Sequence, residues 1–133
     1  MGTFRHFTDI QAWVGAREVA VAVYRLGTPG PLERDFGMRD QIRRASVSIM
    51  ANIAEGFGRG GDKEFSRFLD IARGSGSELE SHLLLIDVIY PTLQAETAII
   101  REQLDRCLAM IAKLTTYLRS TGLPDSRTSG LPD

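Results

Sequence analysis

Apolar residues recur at intervals of three and four along four separate stretches of the chain, the spacing that places them on one face of a helix. The last stretch is the most regular. There Leu93, Ile100, Leu104, Cys107, Ile111, Leu114 and Leu118 alternate steps of four and three after the first interval, with Ile99, Met110 and Tyr117 in a second line beside them. That second line makes the apolar surface wider than one bundle seam requires, and it points to an oligomer contact or a broad core stripe. The first stretch runs through Ile10, Trp13, Val14, Ala20, Val21, Val23, Tyr24 and Leu26. It predicts a helix capped by Thr8 or Asp9 and closed by Gly27, with Pro29 and Pro31 blocking continuation. Trp13 falls at helical spacing from Ile10, Ala16 and Ala20, which reads as core rather than as a stacking platform for a ligand.

The third stretch places Phe65, Phe68, Leu69, Ala72, Leu79, Leu83, Ile86 and Tyr90 on one stripe, from an Asp62 cap to Pro91. Gly74 and Gly76 interrupt it, each costing about 1 kcal/mol relative to Ala. Close approach of a facing backbone offsets that cost, and the small residues at Ala72, Ser75 and Gly76 predict contact with the second helix at Gly56 or Ala45. Acidic residues Asp70, Glu78, Glu80 and Asp87 mark this helix, and Glu78 or Glu80 is expected to pair with arginines of the second, within the chain or across subunits.

The second stretch carries a different kind of order. On a helix from Gln41 to Arg59, Ile42, Ala45, Ile49, Ile53 and Gly56 fall on one side. Arg44, Ser48, Asn52, Glu55 and Arg59 fall within roughly 80° of each other on the other. Their spacing lets Arg44 reach Ser48, Asn52 reach Glu55 and Glu55 reach Arg59. Two readings stand: a solvated face laced with pairs worth about 0.2–0.5 kcal/mol each, or a half-buried polar seam facing another helix or subunit. The short side chains of Ser48 and Ala51 favour the seam.

The composition narrows the function classes. With 133 residues the chain suits one domain over residues 1–120, followed by a tail over 121–133 rich in Gly, Pro, Ser and Asp. The tail nearly repeats Thr121-Gly-Leu-Pro-Asp125 as Ser129-Gly-Leu-Pro-Asp133. It is expected to be disordered, the repeat being a candidate docking segment. Sixteen basic and 17 acidic residues give a net charge of −1, so no global basic field draws the chain to nucleic acid. One cysteine, Cys107, excludes an internal disulfide and reads as a buried small hydrophobe. No signal-peptide core or membrane-length apolar run occurs, which predicts a cytoplasmic protein with no membrane role.

Little in the sequence resembles reaction chemistry. His6 and His82 are far apart and no His-Glu-x-x-His occurs, so no metal is expected. His82 lacks the partners of a nucleophile relay and reads as a surface or interface residue. Gly58-Arg59-Gly60-Gly61-Asp62 reads as a helix stop and cap, since no strand precedes it and no phosphate-loop sequence is present. The polar side of the second stretch holds one carboxylate, Glu55, but general acid–base work needs a pocket around a shifted carboxyl, which no sequence pattern displays. The expectation is a non-enzyme without cofactors.

The run RRASVSIMANIAEGFGR, with Glu64-Phe65-Ser66-Arg67-Phe68-Leu69-Asp70-Ile71-Ala72 and Gly74-Ser75-Gly76-Ser77-Glu78-Leu79-Glu80 after it, resembles the bacterial four helix bundle or 23S rRNA intervening sequence protein family. The similarity spans nearly all of Phe4 to Leu118 and centres on Asn-Ile-Ala-Glu-Gly. More remotely, the chain resembles the accessory variability protein of diversity-generating retroelements. Met50 stands where the family usually has Pro, which predicts a straighter second helix, and Gly76 stands where a larger residue is common. Periodicity alone predicts an all-α, antiparallel up-down-up-down four-helix bundle. The resemblance adds a ring-forming homo-oligomer, a pentamer, and implies a scaffold or binding protein of largely unassigned role. Its implied partners are RNA, or a reverse transcriptase with its RNA. The candidate RNA contacts are then Arg39, Arg43, Arg44, Arg59, Lys63, Arg67 and Arg73. The alternative is an adaptor for a protein partner with no nucleic-acid role.

Overall fold

A computed structural model describes residues 4–120, and the Leu-Pro-Asp tail lies outside the described residues. Four helices carry the fold: α1 (Gln11–Arg25), α2 (Phe36–Gly58), α3 (Asp62–Ile89) and α4 (Gln94–Ser120). No strand occurs among the described residues. α1 packs on α2 and α4, and α3 packs on α2 and α4, so each helix touches two neighbours around one core. That core takes Ile10, Trp13, Val19 and Val23 from the first periodic stretch, and Ile42, Ile49 and Ile53 from the second. Phe65, Leu69, Leu79, Leu83 and Ile86 join from the third, and Ile100, Leu104, Cys107, Ile111, Leu114 and Leu118 from the fourth. The periodic stripes are therefore the core faces, except that Val21 and Tyr24 of the first stretch are exposed.

The ends of the helices depart from expectation in instructive ways. The side chain of Asp9 turns back and accepts from the Arg5 and His6 amides at 2.8 and 3.1 Å, closing a 3-10 turn over Phe7–Asp9 whose cap is His6. Those amide bonds, led by the one from Arg5, hold its carboxyl below the ordinary range. Ile10, extended and buried, then separates this turn from α1, so neither Thr8 nor Asp9 caps that helix. Gly27 closes α1 as expected, in the left-handed conformation at φ 63°. Asp62 is the first residue of α3 and Gly61 occupies the cap, with Gly60 at φ 90° turning the chain. With Met50 in place of Pro, α2 runs without a break.

At the start of α2, Asp35 accepts from the Met38 amide at 3.1 Å and from the Tyr90 hydroxyl at 2.6 Å, tying the α1–α2 connection to the end of α3. The Tyr90 hydroxyl, with the Met38 amide behind it, lowers the Asp35 carboxyl below its ordinary value. A carboxyl lowered on folding adds stability that is complete above the unfolded value, about 3.9, and is lost as the pH falls through the native value. Tyr90→Phe is accordingly expected to cost about 1 kcal/mol at pH 7 and almost nothing once Asp35 is protonated. Urea titrations from pH 7 downward check this; a loss that does not shrink as the pH falls would refute it.

Gly56 and Gly76 are both close-approach positions, but toward different neighbours. A Cβ on Gly56 would meet Phe68 and Phe65 of α3, whereas one on Gly76 would meet Leu108 of α4. The expected contact of Gly76 with α2 is thus replaced by one with α4. Gly74 faces outward, with nothing within 4 Å of a built Cβ. Within the chain, no pairing of Glu78 or Glu80 with arginines of α2 forms among the described residues: Glu78 lies 3.6 Å from Nε2 of half-buried His82, one turn along its own helix. α3 is instead clamped to α4, by Asp70 with Arg119 and by Asp87 with Arg101 and Thr97.

Cys107 is fully buried against α1, its thiol 3.5 Å from the Ala12 carbonyl, and burial raises its pKa to about 11. A thiol that stays protonated and covered is not a nucleophile. Its modification by an aromatic disulfide at pH 8 is expected to follow global unfolding; fast labelling of the folded protein would contradict this placement.

Candidate functional site

The polar face of α2 splits into three parts. Ser48 and Asn52 form a half-buried seam with α3: Ser48 Oγ lies 2.8 Å from Ser75 Oγ, and the Asn52 amide donates to the Ser48 carbonyl and hydroxyl at 2.8 and 3.0 Å. Asn52 therefore turns to Ser48, not Glu55. Glu55 and Arg59 pair at 3.1 Å in solvent, each about half exposed. Arg44 is exposed at the other end of the helix and does not join the seam, because Ser48 faces Ser75.

The seven basic candidates likewise occupy separate places. Arg39 donates to the Glu33 carbonyl, and Arg43 donates to the Tyr24 carbonyl at 3.2 Å with its guanidinium 4.5 Å from the Tyr24 ring. Arg39 thus holds the α1–α2 connection, and Arg43 ties α2 to the last turn of α1. Arg59, Lys63 and Arg67 gather around the α2–α3 turn, where Arg59 and Arg67 stand 5.1 and 4.6 Å from the Phe68 ring. Arg67 also binds Glu64 at 3.0 and 3.2 Å, which holds that carboxyl below its usual range and raises the guanidinium. Arg73 lies 4.0 Å from Asp70. From Arg43 or Arg44 to Arg59 is about 22–24 Å along α2, so these residues do not make one patch.

Two apolar surfaces were not assigned as contacts from the sequence. On α3, Leu84, Leu85, Val88 and Ile89 are exposed, Val88 to 76%. They span about 140° of the helix surface, beside the buried Leu83 and Ile86. The signal was legible, because seven residues from Leu83 to Ile89 contain six apolar ones, more than one buried stripe can use. On the opposite pair of helices, Ala20, Val21, Tyr24, Val47 and Met50 line a groove of about 410 Å³, rimmed by Arg17 and Arg25. The α4 line expected to widen the surface is mostly inward: Met110 and Tyr117 pack on the core and Ile99 alone of the three is exposed. Among the described residues, no three His, Cys, Asp or Glu side chains gather to hold a metal. Among these residues, no helix is long and apolar enough to cross a membrane.

These features define an all-α protein, four α-helices among the described residues, with exposed apolar helix faces. Residues 8–113 match the 23S rRNA-intervening sequence protein family, and the chain belongs to that family. It is also similar to the crystal structure of a protein of unknown function from the S23 ribosomal protein family of Bacteroides thetaiotaomicron. The TM-score is 0.70 at 22% identity, over 79% of this chain and 95% of that one, a likeness of fold. No curated protein matches.

Proposed function

We propose that the protein is a non-enzymatic scaffold that assembles with copies of itself, its helices antiparallel in up-down-up-down order and its subunits joined in a ring in the cytoplasm. The exposed strip of Leu84, Leu85, Val88 and Ile89 carries the reading, since contiguous apolar surface of this kind marks an interaction site. The pairs Asp70–Arg119, Gly76–Leu108 and Asp87–Arg101 support opposed directions for α3 and α4, because partners later on one helix meet partners earlier on the other.

Two different apolar faces favour a ring over a two-fold dimer. The α1–α2 groove is rimmed by Arg17 and Arg25, while carboxylates of Glu78 and Glu80 precede the α3 strip. Unlike faces of opposite charge make a head-to-tail contact, which closes into a ring when the rotation allows. Five subunits are the number the family resemblance supplies.

RNA is the second reading, favoured by the guanidiniums of Arg59 and Arg67 over Phe68 beside Lys63. A phosphate there competes with Glu55 and Glu64 for the same arginines, so binding is expected to weaken steeply with salt. Light scattering of the purified protein, with its absorbance ratio, tests both. A closed multiple of the chain mass supports the scaffold, a single-chain mass overturns it, and co-purifying RNA brings Arg59 and Arg67 to the fore.

A further inference from the structure

One concavity belongs to neither proposed face. Where α1 begins and α4 nears its last two turns, Phe4, Ile10, Ala12, Met110 and Leu114 line an apolar pocket of about 370 Å³, with Lys113 in its lining. Lys113 is exposed and makes no ion pair with a carboxylate of the described residues. An apolar wall beside one uncompensated cation fits a short segment with an aliphatic side chain next to a carboxylate.

We propose that the chain's own tail fills this pocket through Leu131-Pro132-Asp133, the leucine and proline against the apolar wall and the aspartate against Lys113. The tail carries this pattern twice, at Leu123-Pro124-Asp125 and at Leu131-Pro132-Asp133, and lacks any other large apolar side chain. Reach decides between the copies. Leu114 lies six residues before Ser120, about 9 Å back along α4. Leu123, three residues beyond Ser120, extends at most about 10 Å and leaves nothing for the turn around the helix, whereas Leu131, eleven residues beyond, has about 36 Å.

Gly122, two residues past Ser120, permits the reversal of direction that this return needs. Tethering raises the local concentration of the segment to the millimolar range, so a contact too weak to hold a free peptide is still occupied. Docking of this kind covers an apolar surface at the end of the bundle and ties the 3-10 turn at Phe7–Asp9 to α4. It does not depend on assembly through the α3 strip.

Hydrogen exchange of the full chain tests it, read at the amides of Trp13 and Val14, both bonded to the Ile10 carbonyl. Leu131→Asp is expected to speed their exchange about tenfold, as the open pocket becomes the dominant state, while Leu123→Asp leaves it unchanged. Lys113→Glu is expected to give the same acceleration, and Lys113→Glu combined with Asp133→Lys to reverse it, a rescue that a merely structural lysine does not allow. Exchange at the core amides of α2 and α3, unchanged in each variant, shows that the fold is intact. Unchanged exchange in Leu131→Asp overturns the proposal. So does protection at these amides that rises with protein concentration, which assigns the pocket to a second copy of the chain.

Discussion

Gly56→Ala is expected to lower the unfolding free energy by about 2 kcal/mol. The new Cβ would lie 2.6 Å from the Phe68 Cβ, 3.1 Å from the Phe65 ring and 3.3 Å from the Phe65 carbonyl oxygen. None of these atoms can swing aside: a Cβ and a carbonyl are fixed by the backbone of α3, and the Phe65 ring is fully buried. The two helices must separate instead. Overpacking of this kind costs up to about 3 kcal/mol, of which the better helix propensity of alanine returns about 1.

The two glycines of α3 calibrate that number. Gly76→Ala places its Cβ 2.5 Å from a terminal methyl of Leu108, a half-buried side chain that can change rotamer, so the expected result is near neutrality. Gly74→Ala meets nothing and gains about 0.5–1 kcal/mol from propensity and the narrower unfolded ensemble. Urea unfolding followed by the fluorescence of buried Trp13 checks the series. An order other than Gly56, Gly76, Gly74 from least to most stable would show that close approach is not what these glycines serve.

The same residues show what the sequence could and could not disclose. Four periodic stripes identified the core because helical burial imposes its period on every residue of a stripe, from Ile42 to Ile53 and from Ile100 to Leu118. Which stripe faces which was not encoded that way. A glycine announces a close neighbour, yet Gly76 looks the same in sequence whether α2 or α4 approaches it, and Gly74 shows that a helical glycine need have no neighbour within the chain. Caps failed where tertiary burial prevailed: Asp9 is a good helix cap by type, but burying Ile10 turns it toward Arg5 and His6.

The polar candidates were harder still, because side chains of the same type serve opposite ends. Arg43 and Arg59 both read as phosphate binders. Arg43 holds a carbonyl of α1, though, and Arg59 lies on an aromatic ring with a carboxylate partner. The tie of Tyr90 to Asp35 spans 55 residues, and no local pattern foretells it. By contrast, the exposed α3 strip was present in the run from Leu83 to Ile89, hidden only by reading one stripe of it.

Val88→Asp combined with Leu84→Asp is expected to reduce the proposed assembly to single chains of 14.7 kDa, with helix content unchanged. Both side chains are exposed in the single chain, so carboxylates there cost the fold little. Buried in a subunit contact, each must be desolvated without a partner, at several kcal/mol. Tyr24→Asp on the opposite face is expected to do the same, since a head-to-tail contact fails when either surface is spoiled. Mixing then separates this geometry from a two-fold one. One variant keeps an intact groove and the other an intact strip, so the mixture can form one good contact and no more, and a species of two chains is the expected product. Recovery of the full assembly, or no association at all, would place the contact elsewhere than between the α1–α2 groove and the α3 strip.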